Sequence, residues 1–375
     1  MRLEPLRRST RSEPWLRALG PAFISAAGVA LILGMVLSSA GWDPLALARL
    51  GTRFSQSEAG GSEGYDGQFV YYIARELNPS SVSQYLDVPS YRYQRILLPL
   101  LARAAALGDP EWIPWTIPVV SLIAHGVGTW LVGLLILGAG LGARYALVYG
   151  LWAGFTLAIR LDLPEPLAFA LVAGAIYWDR KGWRALSWIC YGLALFAKEV
   201  TAIFLAAQIL EDLRRRDWRS AVGLAGVGLL PYIVFQGWLA EVFGAPGIGS
   251  GGANSTPFEL LPFLGFLRIA AADLRVFLVF LLVFGPFILA PAAWGIWVGI
   301  KEIRARTIEL PTLFLAGNAA VILFLPFSTY REPGGLLRFS CGLVLAFLLY
   351  CSLRGHRRLL NYSFFSLALN VFLIE

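Results

Sequence analysis

Apolar runs of about 20 residues recur along the chain, separated by short polar stretches that are often basic. Runs near 19–39, 113–138, 145–159, 163–178, 184–197, 200–213, 220–241, 274–299, 310–327, 336–353 and 359–374 predict about eleven membrane-spanning helices. The fold expected is all-α: a polytopic membrane domain over 1–375, with a large loop at 40–112 and a Gly/Ser/Pro-rich flexible loop within 242–272. Ser38-Ser39-Ala40 resembles a signal-peptidase site, but the length of the first run and the spans after it favour an uncleaved helix.

Basic clusters orient these spans. Arg2, Arg7, Arg8, Arg11 and Arg17 place the N-terminus in the cytoplasm. Alternation then brings Arg144, Asp179–Arg184, Arg214–Arg219, Lys301–Arg306 and Arg354–Arg358 to the same side. The opposite face receives 40–112, 160–162, Lys198-Glu199, 242–272 and Ser328–Arg338. Four predicted helices between 145 and 213 are short: fifteen residues rise only about 22 Å against a hydrocarbon core of about 30 Å. Their outer ends carry Arg160, Asp162, Glu165, Lys198 and Glu199. Charges at that depth must line a wet cavity or pair with one another, so a polar pocket is expected on the non-cytoplasmic side.

Composition agrees. The 375 residues are 57% hydrophobic and only 15% charged, whereas a soluble chain carries roughly 25% charged residues. The net charge of +7 sits in the short clusters between spans and is no nucleic-acid footprint. Cys190, Cys341 and Cys351 lie in or beside apolar runs and suit small buried side chains rather than a disulfide or metal framework. His125 reads as a hydrogen-bonded core residue, and His356 falls on the basic face. Two histidines and no cysteine cluster argue against a His/Cys-built transition-metal site. The chain has no phosphate-binding glycine loop, dinucleotide fingerprint or nucleophile elbow. Many arginines against three lysines point to a bacterial plasma (inner) membrane.

The polar aromatic stretch Gly64–Pro99 is where chemistry is expected. Asp66 stands between Tyr65 and Gly67, with Gly64 before and Gln68 after. Flanking glycines allow a tight turn, and an ordinary aspartate is ionised at neutral pH and able to accept a proton. It also fits a turn-shaping residue. Tyr91–Arg95 supplies Arg92 and Arg95, whose forked guanidiniums suit phosphate or carboxylate; the same residues suit an interfacial helix. Tyr330–Arg338 places Arg331 and Arg338 against the positive-inside trend, as a lipid-linked phosphate or membrane headgroups would require. Lys198-Glu199 reads either as an ion pair in a turn or as part of the site, and Asp162 and Glu165 either as a helix start or as site residues.

Gly64–Ala74 followed by Tyr91–Pro99 resembles the first extracytoplasmic loop of the GT-C superfamily, multi-pass glycosyltransferases that use polyprenyl-phosphate sugars. It is similar to GPI-type mannosyltransferases and to bacterial membrane proteins with a Gly-Tyr-Asp-Gly-Gln-Phe loop. The Pro164-Glu165 helix start, the Phe196–Glu199 hairpin and the Arg331/Arg338 loop fit the same layout. The resemblance implies an inverting glycosyltransferase with Asp66 as catalytic base. It implies substrate contacts from Tyr65, Gln68, Arg92, Arg95, Asp162, Glu165, Lys198, Glu199, Tyr330, Arg331 and Arg338. The donor implied is a polyprenyl-phosphate sugar, the acceptor an envelope glycan or lipid, and the surroundings membrane lipids, with no nucleic acid. No second acid accompanies Asp66 in its motif, and Lys198 stands where an arginine is expected, so use of a divalent metal (Mg or Mn) stays open. A transporter or flippase for a lipid-linked or anionic substrate, or a non-catalytic envelope scaffold, accounts for the same intramembrane charges.

Overall fold

A computed structural model describes residues 13–373; Arg2, Arg7, Arg8 and Arg11 lie outside the described residues. Every regular element among those described is helical. Five helices are long and apolar enough to cross a membrane: Pro14–Ser39, Ile113–Gly138, Trp218–Phe243, Leu274–Arg304 and Pro333–Leu353. The chain is accordingly a membrane protein. Arg184–Ala197 and Leu310–Leu323 are shorter apolar helices.

The other predicted spans are helical where expected but do not form long single rods. The stretch 145–160 divides into Ala146–Gly150 and Ala153–Arg160, and the last run is Arg357–Ser363 followed by a tight 3₁₀ segment. Two of the long helices absorb interior prolines through an extra residue per turn. Ala225–Leu229 precedes Pro231, and Gly285–Leu289 contains Pro286 and precedes Pro291. Proline lacks the N–H and crowds the carbonyl four residues back, and a widened turn relieves that conflict.

Helix Pro14–Ser39 packs on Ile113–Gly138, which packs on Glu165–Arg180, which in turn packs on Arg184–Ala197. The main core is aromatic at its centre, with Tyr149, Trp152, Phe155, Phe169, Phe204 and Phe314 fully buried. Burying side chains of this size supplies most of the favourable packing energy.

The 40–112 segment is a helical layer rather than an open loop. Gly67–Arg75, Pro89–Tyr93 and Leu97–Ala105 fold against the bundle end, with Phe69, Ile73, Leu98 and Ala102 joining Ile113, Ile117 and Ala168 in a second core. Within 242–272, expected as a flexible loop, Leu264–Ala272 is a helix, and the residues before it are tied by hydrogen bonds to Asp87 and Glu63 of the layer and to Gln236 of helix Trp218–Phe243. Glycine is demanded at Gly67: a Cβ there would collide with the backbone carbonyl of Leu161 and lie 3.3 Å from Cβ of Asp162. Helix Gly67–Arg75 therefore starts hard against the 160–164 turn, which fixes the position of Asp66 before it.

Candidate active site

Four of the five segments assigned to one face by alternation contribute to a cavity of about 710 Å³, and 160–162 does not line it. Its walls come from 53–92, Glu199-Val200, 248–258 and 321–339. The basic turns meet elsewhere: Arg184 pairs with Asp217 at 2.8 Å, Arg354 with Glu302 at 3.0 Å, and Arg17 and Arg144 line a separate groove.

Asp66 is the centre of the charge network. One carboxylate oxygen lies 3.0 Å from Arg92 Nη1 and the other 3.4 Å from Arg338 Nη1. The Asp66 side chain keeps 32% of its exposure, toward the cavity, while both guanidiniums are 8% exposed. Burial alone would raise the Asp66 carboxyl, but Arg92 and then Arg338 outweigh it and hold the group well below the usual carboxylate range. Asp66 is thus an ionised acid held by two cations.

Each arginine is itself held from behind. Asp87 takes Arg92 with both oxygens, at 2.7 Å from Nε and 2.8 Å from Nη2, and Arg92 lies 4.3 Å above the Phe69 ring. Arg338 is 3.6 Å from Glu165 and 3.8 Å from Glu332, over the ring of Tyr65. Glu165 in turn binds Lys198 Nζ at 2.5 Å, both side chains being essentially buried. Arg95 grips Glu199 through two nitrogens, at 2.8 and 2.5 Å, and donates to Tyr91 Oη at 2.7 Å. A buried ion pair is stable only where partners offset both charges, and here Asp66 and Glu165 face Arg92, Arg338 and Lys198, with Glu165 Oε1 taking both of its cations and its Oε2 left without a hydrogen bond.

Tyr65 donates its hydroxyl to Glu332. Burial raises the phenol well above its ordinary range against the pull of Arg338, so Tyr65 remains a neutral donor. Gln68 accepts from Gly51 N at 3.0 Å and donates to Glu63 O at 2.6 Å, bracing the loop from beneath the cavity surface.

Three sequence candidates stand apart. Arg331 is exposed, its guanidinium 5.9 Å from the Phe327 ring, because it ends a short helix whose other side faces the cavity. Tyr330 is fully buried, donates to Ile322 O and packs on Phe266, a scaffold role. Asp162 is buried in a left-handed turn beneath Gly67, with neither carboxylate oxygen hydrogen-bonded to protein, and does not line the cavity.

Arg160 is drawn away from the cluster, donating to Leu373 O at 2.7 Å. His125 is a core residue, with its Nε2 2.7 Å from Gly150 O. Two cavity acids lie outside the expected set of site residues: the sequence offers Asp87 only as an alternative base and Glu332 only as a pairing partner for its neighbouring arginines. Glu332 faces Asp66 across Arg338, and Asp87 orients Arg92. Only folding brings positions 66 and 332 together, so no local motif could announce the pair. Among the described residues, no group of three or more His, Cys, Asp or Glu side chains is placed to hold a metal ion.

Compared with protein-family models, curated proteins and solved structures, the chain gives no significant match.

Proposed function

We propose that this protein is an inverting membrane glycosyltransferase of the GT-C type, moving a sugar from a polyprenyl-phosphate donor to an envelope glycan or lipid acceptor on the non-cytoplasmic side of a bacterial inner membrane. One observation carries the reading: a cavity-facing carboxylate, Asp66, shared by two buried guanidiniums from distant parts of the chain, Arg92 and Arg338. The shorter helices packed among the five of membrane-spanning length, and the apolar cavity residues Val200, Val321 and Phe339 beside the charges, fit a substrate with a charged head and a lipid tail.

In this mechanism the donor phosphate enters between Arg92 and Arg338 and takes over contacts that these guanidiniums make with Asp66. Released from its cations, Asp66 becomes a stronger base. It removes the proton of an acceptor hydroxyl as that oxygen attacks the anomeric carbon from the face opposite the phosphate. The new glycosidic C–O bond forms while the bond from the anomeric carbon to the phosphate oxygen breaks. The phosphate leaves with that electron pair, and the two guanidiniums stabilise its growing charge in a partly dry site. Glu165 and Asp87 keep those guanidiniums in place throughout.

The test is sugar transfer by purified protein from a panel of polyprenyl-phosphate sugars, wild type beside Asp66→Asn. Transfer that collapses in the folded variant supports both the activity and the base. Absence of transfer from every donor, together with movement of a lipid-linked substrate across proteoliposomes, would replace this reading with the transporter one.

A further inference from the structure

Nine of the ten residues in the stretch 247–256 line the cavity, yet the stretch contains no helix and no buried apolar side chain. It includes Gly247, Gly249, Gly251 and Gly252, and Ile248 is more than half exposed. A segment with so little apolar burial is held by its hydrogen bonds, and such segments belong to the low-stability end of a fold. Those bonds are few and specific. Gly247 N and Ile248 N donate to Gln236 Oε1 at 2.8 and 2.9 Å. Ala253 N donates to Asp87 at 3.1 Å, Asn254 Nδ2 to Glu63 at 2.7 Å, and Thr256 N to Ser328 Oγ at 3.0 Å.

The bond to Asp87 differs from the others because Asp87 is also the bidentate partner of Arg92. One of its oxygens accepts from Arg92 Nε and from Val88 N; the other accepts from Arg92 Nη2 and from Ala253 N. Burial would raise the Asp87 carboxyl, but Arg92 and the two backbone donors hold it below the ordinary value, so both bonds are charge-assisted. The strap also lies on Arg92 itself. A Cβ at Gly252 would sit 2.8 Å from Arg92 Nη2 and 3.3 Å from Asp87 Oδ2.

We propose that Asp87 is a positioning residue that latches the 247–256 strap to Arg92, so that closure over the cavity and orientation of the anion-binding guanidinium occur together. This inference rests on the cavity being an anion site, though not on sugar transfer. With Asp87 in place the strap is down and Arg92 points at Asp66. Without it both come loose, because one carboxylate serves both.

The measurement is hydrogen–deuterium exchange of the full-length protein in nanodiscs, for wild type, Asp87→Asn, Asp87→Glu and Gly252→Ala, each with and without farnesyl phosphate. Loss of one charge-assisted hydrogen bond should speed exchange across 247–256 by about tenfold or more in Asp87→Asn. Gly252→Ala, with Asp87 intact, should lift the same stretch. Asp87→Glu should restore most of the protection, and exchange in helix Gly67–Arg75 should stay unchanged throughout. Farnesyl phosphate should bind about tenfold more weakly to Asp87→Asn than to wild type, with recovery in Asp87→Glu. Unchanged strap exchange in Asp87→Asn overturns the latch. So does faster exchange in Gly67–Arg75 by the same factor, since Asp87 would then be a general support. If Asp87→Asn and Gly252→Ala free the strap while farnesyl phosphate binds no variant, the latch stands and the lipid-phosphate reading of the cavity falls.

Discussion

Asp66 and Arg338 are 272 positions apart in the chain and meet at 3.4 Å. Their contact joins the turn before helix Gly67–Arg75 to the first turns of Pro333–Leu353, so the site exists only when the early helical layer is seated on the late bundle. It also makes a distinctive demand on a substitution. In Asp66→Asn the two arginines lose an anionic partner and keep their other acids, Asp87 and Glu165. The variant should therefore bind farnesyl phosphate at least as tightly as wild type while losing a general base worth about 10²–10⁴ in rate. Calorimetric or fluorescence binding beside a transfer assay separates the two effects; weaker binding in Asp66→Asn would show that the acid holds the ligand rather than competing with it.

Arg331 and Arg338 are equivalent on paper, two arginines seven residues apart near one predicted membrane surface. The structure separates them. Arg331→Ala should change turnover and lipid-phosphate affinity by less than about twofold, as for an exposed residue away from special contacts. Arg338→Lys should cost at least about tenfold in affinity, because an ammonium cannot reach Asp66, Glu165 and an incoming phosphate from one planar fork. Equal losses in both would mean that Arg331 turns inward when substrate arrives.

Glu165 and Lys198 form a buried pair that braces Arg338 from behind. Removing one partner strands a charge in a dry place, so Lys198→Met should destabilise the protein by roughly 3–5 kcal/mol. The combined Lys198→Met, Glu165→Gln variant removes both charges and should cost clearly less than the sum of the two single changes. Denaturation of the four proteins in one detergent measures the cycle, and strict additivity would place the two side chains in separate environments.

Much of this architecture was readable from the chain. Apolar runs located the helices, and alternation with the basic clusters grouped most of the segments that share the cavity, though it also included 160–162, which does not line it. The Gly64–Gly67 turn singled out Asp66. What stayed hidden was relational. Nothing near Glu332 distinguishes it from a surface acid until Tyr65 and Arg338 are brought to it across the fold. Asp87 acquires its role only from the strap above it. Run lengths misled in one respect, since hydropathy does not register breaks such as Leu151–Trp152, where the apolar character continues but the helix does not.

The last prediction concerns acid. Burial pushes the Asp66 carboxyl upward, but Arg92 and Arg338 win, and its value in the fold lies below that of an unfolded aspartate at about 3.9. A group whose value is depressed by folding stabilises the folded state fully above its unfolded value. That contribution fades as pH falls through the folded value, where the native carboxylate takes up its proton. Between pH 5 and 8 Asp66 should therefore add a constant increment to stability, and below about pH 4 the increment should shrink. Asp66→Asn lacks the titrating group but retains Asp87, so its own acid sensitivity is otherwise comparable. The difference in Tm between wild type and Asp66→Asn should be flat from pH 8 to 5 and narrow toward pH 3. A difference that instead shifts in favour of wild type as pH falls from 8 through 6 would mean that burial outweighs the arginines and raises the Asp66 carboxyl.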